Sequence, residues 1–165
     1  MYEGRTWLCI RIYPNGLVVG AIVAVNALGE VRDPQTGRIL AGARDNDGMI
    51  RNSLDWMLEM GRLTVSKGTN TTIGVIATNA HLNKVQATKV SAMAHNGLAR
   101  TIYPVHTMLD GDTIFTLATG EIEASVDLVG SIAAEVMADA IIVAIRAAKG
   151  IAGIPAYQDL NDKEI

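Results

Sequence analysis

The chain has 165 residues, of which 49% are hydrophobic and 19% charged, with a formal net charge of −3. That length suits one domain with a real core, and the lack of a Lys/Arg cluster argues against a nucleic-acid partner. The only cysteine is Cys9, which excludes an intrachain disulfide framework and makes a reducing, cytoplasmic setting the default. Aromatic residues are scarce at 4%, so the core must come from small and branched side chains, as in tightly layered sheets and helices.

Residues 7–12 and 17–25 read as two strands joined through Tyr13-Pro14-Asn15-Gly16, a hairpin signal because Asn and Gly tolerate the φ values that tight turns need. Residues 29–49 read as a polar loop carrying Asp33-Pro34, Thr36-Gly37 and Asp45-Asn46-Asp47-Gly48. The last of these resembles the start of a calcium loop, but Met49-Ile50 stands where ligands should follow, so a plain turn is expected. Residues 50–63 show a loose helical pattern, and Ser66-Lys67-Gly68-Thr69-Asn70 is polar and flexible. A strand follows over 71–80. Asn83 is placed to cap a helix reaching about residue 100, with Val85, Val90, Met93, Ala94 and Leu98 on one face. Another strand is expected over 112–119.

Residues 126–149 form the strongest helical pattern, with Leu128, Val129, Ile132, Val136, Ala140, Ile141, Ala144 and Ala148 on one face. Lys149-Gly150 reads as its stop, and the tail from Ile151 as irregular. This segment is long enough to span a bilayer, but Asp127, Glu135, Asp139 and Arg146 lie within it. Charges are expensive in lipid, and residues 17–28 are short and broken by Gly20 and Asn26, so no membrane partner is expected. Residues 1–6 lead into a strand-like stretch and lack the apolar region of a secretory leader. Helices alternating with strands predict a single mixed α/β domain over residues 1–165, with helices covering a sheet.

The chemistry centres on Asn70-Thr71, at the head of an apolar β-branched run. A hydroxyl at the first residue of a strand can attack the carbonyl before it. The released Thr71 would then carry both a nucleophilic oxygen and an α-amine base. As a bare dipeptide, Asn-Thr is only a loop-to-strand boundary. Asp110 and Asp112 flank Gly111 at the mouth of the next strand, and carboxylates two apart in an extended segment share a side. The alternative is a polar turn. Asn26, at the end of an apolar strand, has an amide able to donate to an oxyanion, or is simply a turn residue ahead of Gly29. Of the three histidines, His81 and His95 flank helix ends and His106 follows Pro104-Val105; none has metal-ligand spacing, and each reads as structural. Neither a metal nor a cofactor is expected, since no Gly-rich phosphate loop and no Gly-x-Ser-x-Gly occurs.

Asn70-Thr71-Thr72-Ile73-Gly74-Val75-Ile76-Ala77-Thr78-Asn79-Ala80 resembles the self-cleavage segment of the DmpA-type family. This family holds the L-aminopeptidase/D-esterases, with β-peptidyl aminopeptidases and nylon-oligomer hydrolases as relatives. Met93-Ala94-His95-Asn96-Gly97-Leu98-Ala99-Arg100, Pro104-Val105-His106-Thr107 and Asp110-Gly111-Asp112-Thr113 are further matches. Val19-Gly20-Ala21-Ile22-Val23-Ala24-Val25-Asn26 and Thr36-Gly37-Arg38 extend the likeness upstream, so that it covers roughly residues 15 to 150.

The resemblance implies a four-layer αββα sandwich, shared with ornithine acetyltransferases, made as a precursor that cuts itself before its nucleophile. Asn70–Thr71 would be the scissile bond, dividing an α-subunit-like segment (1–70) from a β-subunit-like one (71–165). Thr71 would be the nucleophile, Asn26 would match the oxyanion asparagine, and Asp110 and Asp112 the acidic pair of the nylon-oligomer type, which also uses Thr. The aminopeptidase branch typically has Ser there. Substrates would be small peptides or amide oligomers, and the assembly a homo-oligomer of processed heterodimers. Family members extend further on the N-terminal side, with a Gly-rich segment bearing a further Lys or Tyr of the site. Residues 1–11 do not match it, which leads to the expectation of only part of the full fold. An acyl transferase like ornithine acetyltransferase, and a non-catalytic assembly protein, are the competing expectations.

Overall fold

The computed structural model describes residues 6–60 and 70–161. In chain order the elements are β1 (Thr6–Ile12), β2 (Val18–Ala24), β3 (Glu30–Arg32), β4 (Ile39–Ala41), α1 (Ser53–Met60), β5 (Ile73–Ala80), α2 (Lys84–Thr101), β6 (Ile102–Tyr103), β7 (Thr113–Ile122), α3 (Val126–Ala147) and α4 (Tyr157–Asn161). Four strands form the main sheet in the order β1-β2-β5-β7. The β1–β2 and β2–β5 pairs are antiparallel and β5–β7 is parallel, with α2 as the crossover. Gly16, at φ +83°, closes the first hairpin and donates its N–H to the Tyr13 carbonyl at 2.9 Å.

Alternation along these strands separates two faces. On one face Val19, Ala21, Val23 and Ile76 are buried under α3, together with Val129, Val136, Met137 and Ile141 of the helix itself. Burying each of the valine, isoleucine and methionine side chains contributes about 1.5–3 kcal/mol. The two helices pack closely because glycines stand at their crossing: a Cβ on Gly97 would lie 2.6 Å from the Ala134 carbonyl oxygen, and one on Gly130 would strike Met93. The opposite face carries Leu8, Ile10, Ile12, Ile22, Ile73, Phe115 and Leu117, all exposed. The described residues therefore make one helical layer and one main sheet layer, with one apolar sheet face open.

Both hairpin strands, α2, β7 and α3 lie close to where expected, and β5 begins two residues late. Asn83 caps α2 in a full capping box with Gln86. Four further features differ. The segment read as a polar loop contains β3 and β4, which with β6 make a three-stranded sheet in the order β4-β3-β6. Its polar look comes partly from Glu30, which is fully buried because its carboxylate accepts the Ser53 backbone N–H and pairs with Arg32. Val85 and Leu128 are exposed; each sits in the first turn of its helix, ahead of the buried rows that start at Val90 and Val129. Helix α3 stops at Ala147 with Ala148 as an extended cap and Arg146 as its last-turn cation, so Lys149-Gly150 lies just beyond it. The tail also holds the short helix α4, preceded by an Ala156 N–H bond to Asp159 at 2.8 Å.

The pattern expected over 50–63 begins as α1, with Asn52 accepting from the N–H groups of Leu54 and Asp55 at 2.9 and 3.2 Å. Residues 61–63 and the polar stretch 66–69 lie outside the described residues.

Candidate active site

Strand β5 starts at Ile73, two residues later than expected, and this difference shapes the site. Thr71 and Thr72 precede the ladder and are gripped from both sides. On the β2 side, the Thr71 N–H donates to the Asn26 carbonyl at 2.8 Å, continuing the antiparallel pairing beyond Ala24. On the β7 side, the Gly111 N–H donates to the Asn70 carbonyl at 3.1 Å, and the Thr113 N–H to the Thr72 carbonyl at 3.0 Å. An isolated parallel bridge between Asn70 and Asp110 extends this pairing backward. The Asn70–Thr71 peptide is thus stretched between the end of β2 and the turn before β7.

The Thr71 hydroxyl donates to the Asn70 carbonyl oxygen at 2.5 Å. That carbonyl therefore accepts two donors, the hydroxyl of its own successor and the Gly111 amide. Both polarise it toward attack. Glycine at 111 lets the turn come close: a Cβ there would sit 2.8 Å from Thr71 Oγ1, so the hydroxyl would have to move.

Asn26, Asp110 and Asp112 lie around the peptide that Asn70 and Thr71 form, but the two acids act differently. Asp110 lies in a turn, where its Oδ2 accepts the Thr107 N–H at 3.1 Å and the Thr107 hydroxyl at 2.8 Å. Asp112 reaches across to the start of β5. Its Oδ1 accepts the Thr72 N–H at 2.9 Å and its Oδ2 meets His106 Nδ1 at 3.0 Å. The expectation of carboxylates sharing a side assumed an extended segment; the strand begins only at Thr113, so Asp110 and Asp112 have separate partners. Asp112's side chain is only 4% exposed. Asn26 contributes its backbone carbonyl to the grip on Thr71.

Two features escaped the sequence reading. His106, expected only to be structural, is the side-chain partner of Asp112, held at φ +56°, a left-handed conformation unusual for a non-glycine residue. Its ring meets that of His95 edge-on, with centroids 4.9 Å apart. Burial, and then the charge of His106, hold the His95 imidazole below its ordinary range, with Asp112 pulling the other way. The Gly111 amide is a backbone group and leaves no residue-type signal. Among the described residues no cluster of three or more His, Cys, Asp or Glu side chains is arranged for a metal ion.

The model of peptidase family S58 matches residues 9–158, nearly the whole chain. The chain belongs to peptidase family S58. Among curated S58-like relatives, an uncharacterized aminopeptidase of Mycobacterium leprae is 39% identical over 160 residues, covering 87% of this chain and 44% of the relative. A 6-aminohexanoate-oligomer endohydrolase of Kocuria sp. is 30% identical over 143 residues, covering 76% of this chain and 40% of that protein. The fold matches that of the L-aminopeptidase D-Ala-esterase/amidase from Ochrobactrum anthropi, described as a variant of the Ntn hydrolase fold. The TM-score is 0.65 at 16% identity, over 98% of this chain and 47% of that one. A Burkholderia sp. beta-aminopeptidase matches with a TM-score of 0.60. The chain spans less than half the length of these S58-type relatives, and the fold is the DmpA-type sandwich in part.

Proposed function

We propose that this chain is an amide-hydrolysing segment of an S58 peptidase, activated by self-cleavage between Asn70 and Thr71. The observation that carries the reading is the Asn70 carbonyl, which accepts from both the Thr71 hydroxyl and the Gly111 N–H. Thr71 Oγ1 attacks this carbonyl carbon through a five-membered ring, and the Gly111 amide holds the developing oxyanion. The C–N bond then breaks and the hydroxyl proton passes to the departing Thr71 nitrogen, leaving Asn70 as an ester on Oγ1. Water hydrolyses this ester, taking the acyl group and returning a proton to Oγ1.

The product is an N-terminal Thr71 whose amine has an ordinary pKa of about 7.7–8.0, suited to general-base work near neutral pH. Turnover then repeats the chemistry on an external amide. Oγ1 attacks the substrate carbonyl while the Thr71 amine accepts its proton and returns it to the leaving amine. Asp112 fixes the backbone at Thr72, Asp110 shapes the turn that presents the Gly111 N–H, and Asn26 holds the Thr71 nitrogen. Small peptides or amide oligomers are the substrate class, supported by the family and by the named activity of the endohydrolase relatives. A threonine nucleophile flanked by two aspartates favours the amide-oligomer side of that class.

The cut would leave segments 1–70 and 71–165 joined through the β2–β5 ladder, so separation requires denaturing conditions. Intact mass under such conditions should show two fragments split at Asn70–Thr71 for the parent and one uncut chain for Thr71→Ala, which should also lose all amide turnover. Turnover surviving in the variant would sink the nucleophile assignment.

The open apolar sheet face supports a second reading, in which the chain is an assembly protein that keeps an intact backbone. Binding to a longer relative without hydrolysis would favour it.

A further inference from the structure

We propose that His106 is a positioning residue for the Asn70–Thr71 bond, acting through Asp112 on the backbone of Thr72. This inference rests on the self-cleavage reading for its functional consequence, but its structural content stands apart from it. Three contacts form a continuous line: His95 ring to His106 ring, His106 Nδ1 to Asp112 Oδ2 at 3.0 Å, and Asp112 Oδ1 to the Thr72 N–H at 2.9 Å. Thr72 immediately follows the proposed nucleophile, and its own carbonyl is held by Thr113. Its position therefore fixes where Thr71 Oγ1 lies relative to the Asn70 carbonyl.

The arrangement needs the histidine for a physical reason. Asp112's side chain is nearly buried, and a carboxylate in that setting requires donors on both oxygens. Thr72 satisfies one oxygen with a neutral backbone amide. His106 Nδ1 lies 3.0 Å from the other oxygen and, as the Nδ1–H tautomer, supplies the second donor. His106 sits at φ +56° as it makes this contact, a left-handed conformation uncommon for a residue with a β-carbon. The groups facing His106 are Asp112 from the turn before β7 and His95 from α2. His95 packs its ring edge-on against that of His106, with centroids 4.9 Å apart, and forms the wall behind it.

The test separates a donor at Nδ1 from simple space filling. An Asn side chain offers an N–H near the Nδ1 position, a Gln offers one near Nε2, and a Phe offers none. Amide hydrogen exchange at Thr72 is read by NMR in a Thr71→Ala background, where the backbone stays uncut. His106→Phe and His106→Gln should speed Thr72 exchange about tenfold or more, whereas His106→Asn should remain within about threefold of the parent. With Thr71 restored, the rate of self-cleavage should follow the same order. If the Phe variant fails to fold, the Asn and Gln pair decides alone. Thr72 exchange unchanged in the Gln variant, or equal acceleration in Gln and Asn, would overturn the proposal. A parent that never cleaves would remove the self-cleavage reading, while the Thr72 amide would still decide whether His106 positions this backbone.

Discussion

Two turns in this molecule look alike in sequence and differ in use. Asp45-Asn46-Asp47-Gly48 closes on itself: Asp45 Oδ1 accepts the N–H groups of Asp47 and Met49 at 3.0 and 2.9 Å, and Gly48 donates to the Asp45 carbonyl at 3.1 Å. Gly48 serves only by its φ of +81°, with no atom near where its Cβ would be. The turn from Thr107 to Asp112 has the same backbone closure, with the Asp110 N–H donating to the Thr107 carbonyl at 3.1 Å, and its Asp110 carboxylate reaches back to Thr107. Its remaining groups then leave the turn. The Gly111 N–H goes to the Asn70 carbonyl, and Asp112 goes to Thr72 and His106. The difference is one of setting: the second turn feeds a strand that pairs in parallel with β5, so its polar groups face the start of that strand. Turn chemistry alone does not make a site; what lies beside the turn does.

The comparison breaks most sharply at its two glycines. Gly111→Ala places a Cβ against Thr71 Oγ1 and pushes apart the hydroxyl, the carbonyl and the amide that must meet. Self-cleavage should fall about 100-fold or more, the usual consequence of misplacing a reacting group by an ångström. Gly48→Ala should leave cleavage unchanged and lower stability by about 1–2 kcal/mol through its left-handed φ. Time courses of intact mass, paired with urea unfolding, read both quantities. A Gly111→Ala protein that cuts at the parent rate would remove the reason for placing the reaction beside this turn.

The two acids come next. Asp112→Asn keeps the shape but weakens the acceptor for Thr72 and leaves His106 without its carboxylate. Cleavage should slow about tenfold, and stability should drop by about 1–3 kcal/mol. Asp110→Asn retains an acceptor for Thr107 within a part-exposed turn, so both losses should be clearly smaller. Equal losses would mean that the acids act as a pair after all, as their spacing suggests when read as extended chain.

These residues also mark how far the sequence can be read. Local rules located the hairpin at Gly16, the cap at Asn83 and the long buried row of α3, because each depends on neighbours a few positions away. The small sheet of β3, β4 and β6 was hidden because its strands are two or three residues long and one begins with a buried glutamate. Thr71 stood out through its position before an apolar run. His106 did not, since its partnership with Asp112 depends on a backbone reversal and a left-handed residue that side-chain types do not encode. The Gly111 amide is invisible to any reading by residue type. The family resemblance carried the two acids to the site together, and the structure separates what they hold.

The smallest expected effect comes from the acid side of the same turn. His95 packs against His106, and its imidazole is held below its ordinary range, chiefly by burial. In the unfolded chain it takes up a proton near pH 6.5, before the folded form does. Between those two values the unfolded state binds more protons, so stability rises with pH. The contribution is complete above the unfolded value and is lost as pH falls through the window toward the folded one. His95→Phe keeps an aromatic edge toward His106 and removes this titration. The parent should lose more stability than the variant between pH 7.5 and 5.5, measured as the shift in urea midpoint. Asp33, whose pKa is lowered chiefly by the Gln35 N–H, contributes to both proteins alike and cancels in the difference. An identical shift in both proteins would mean that His95 is not desolvated at this turn, and that the wall behind His106 is open to water.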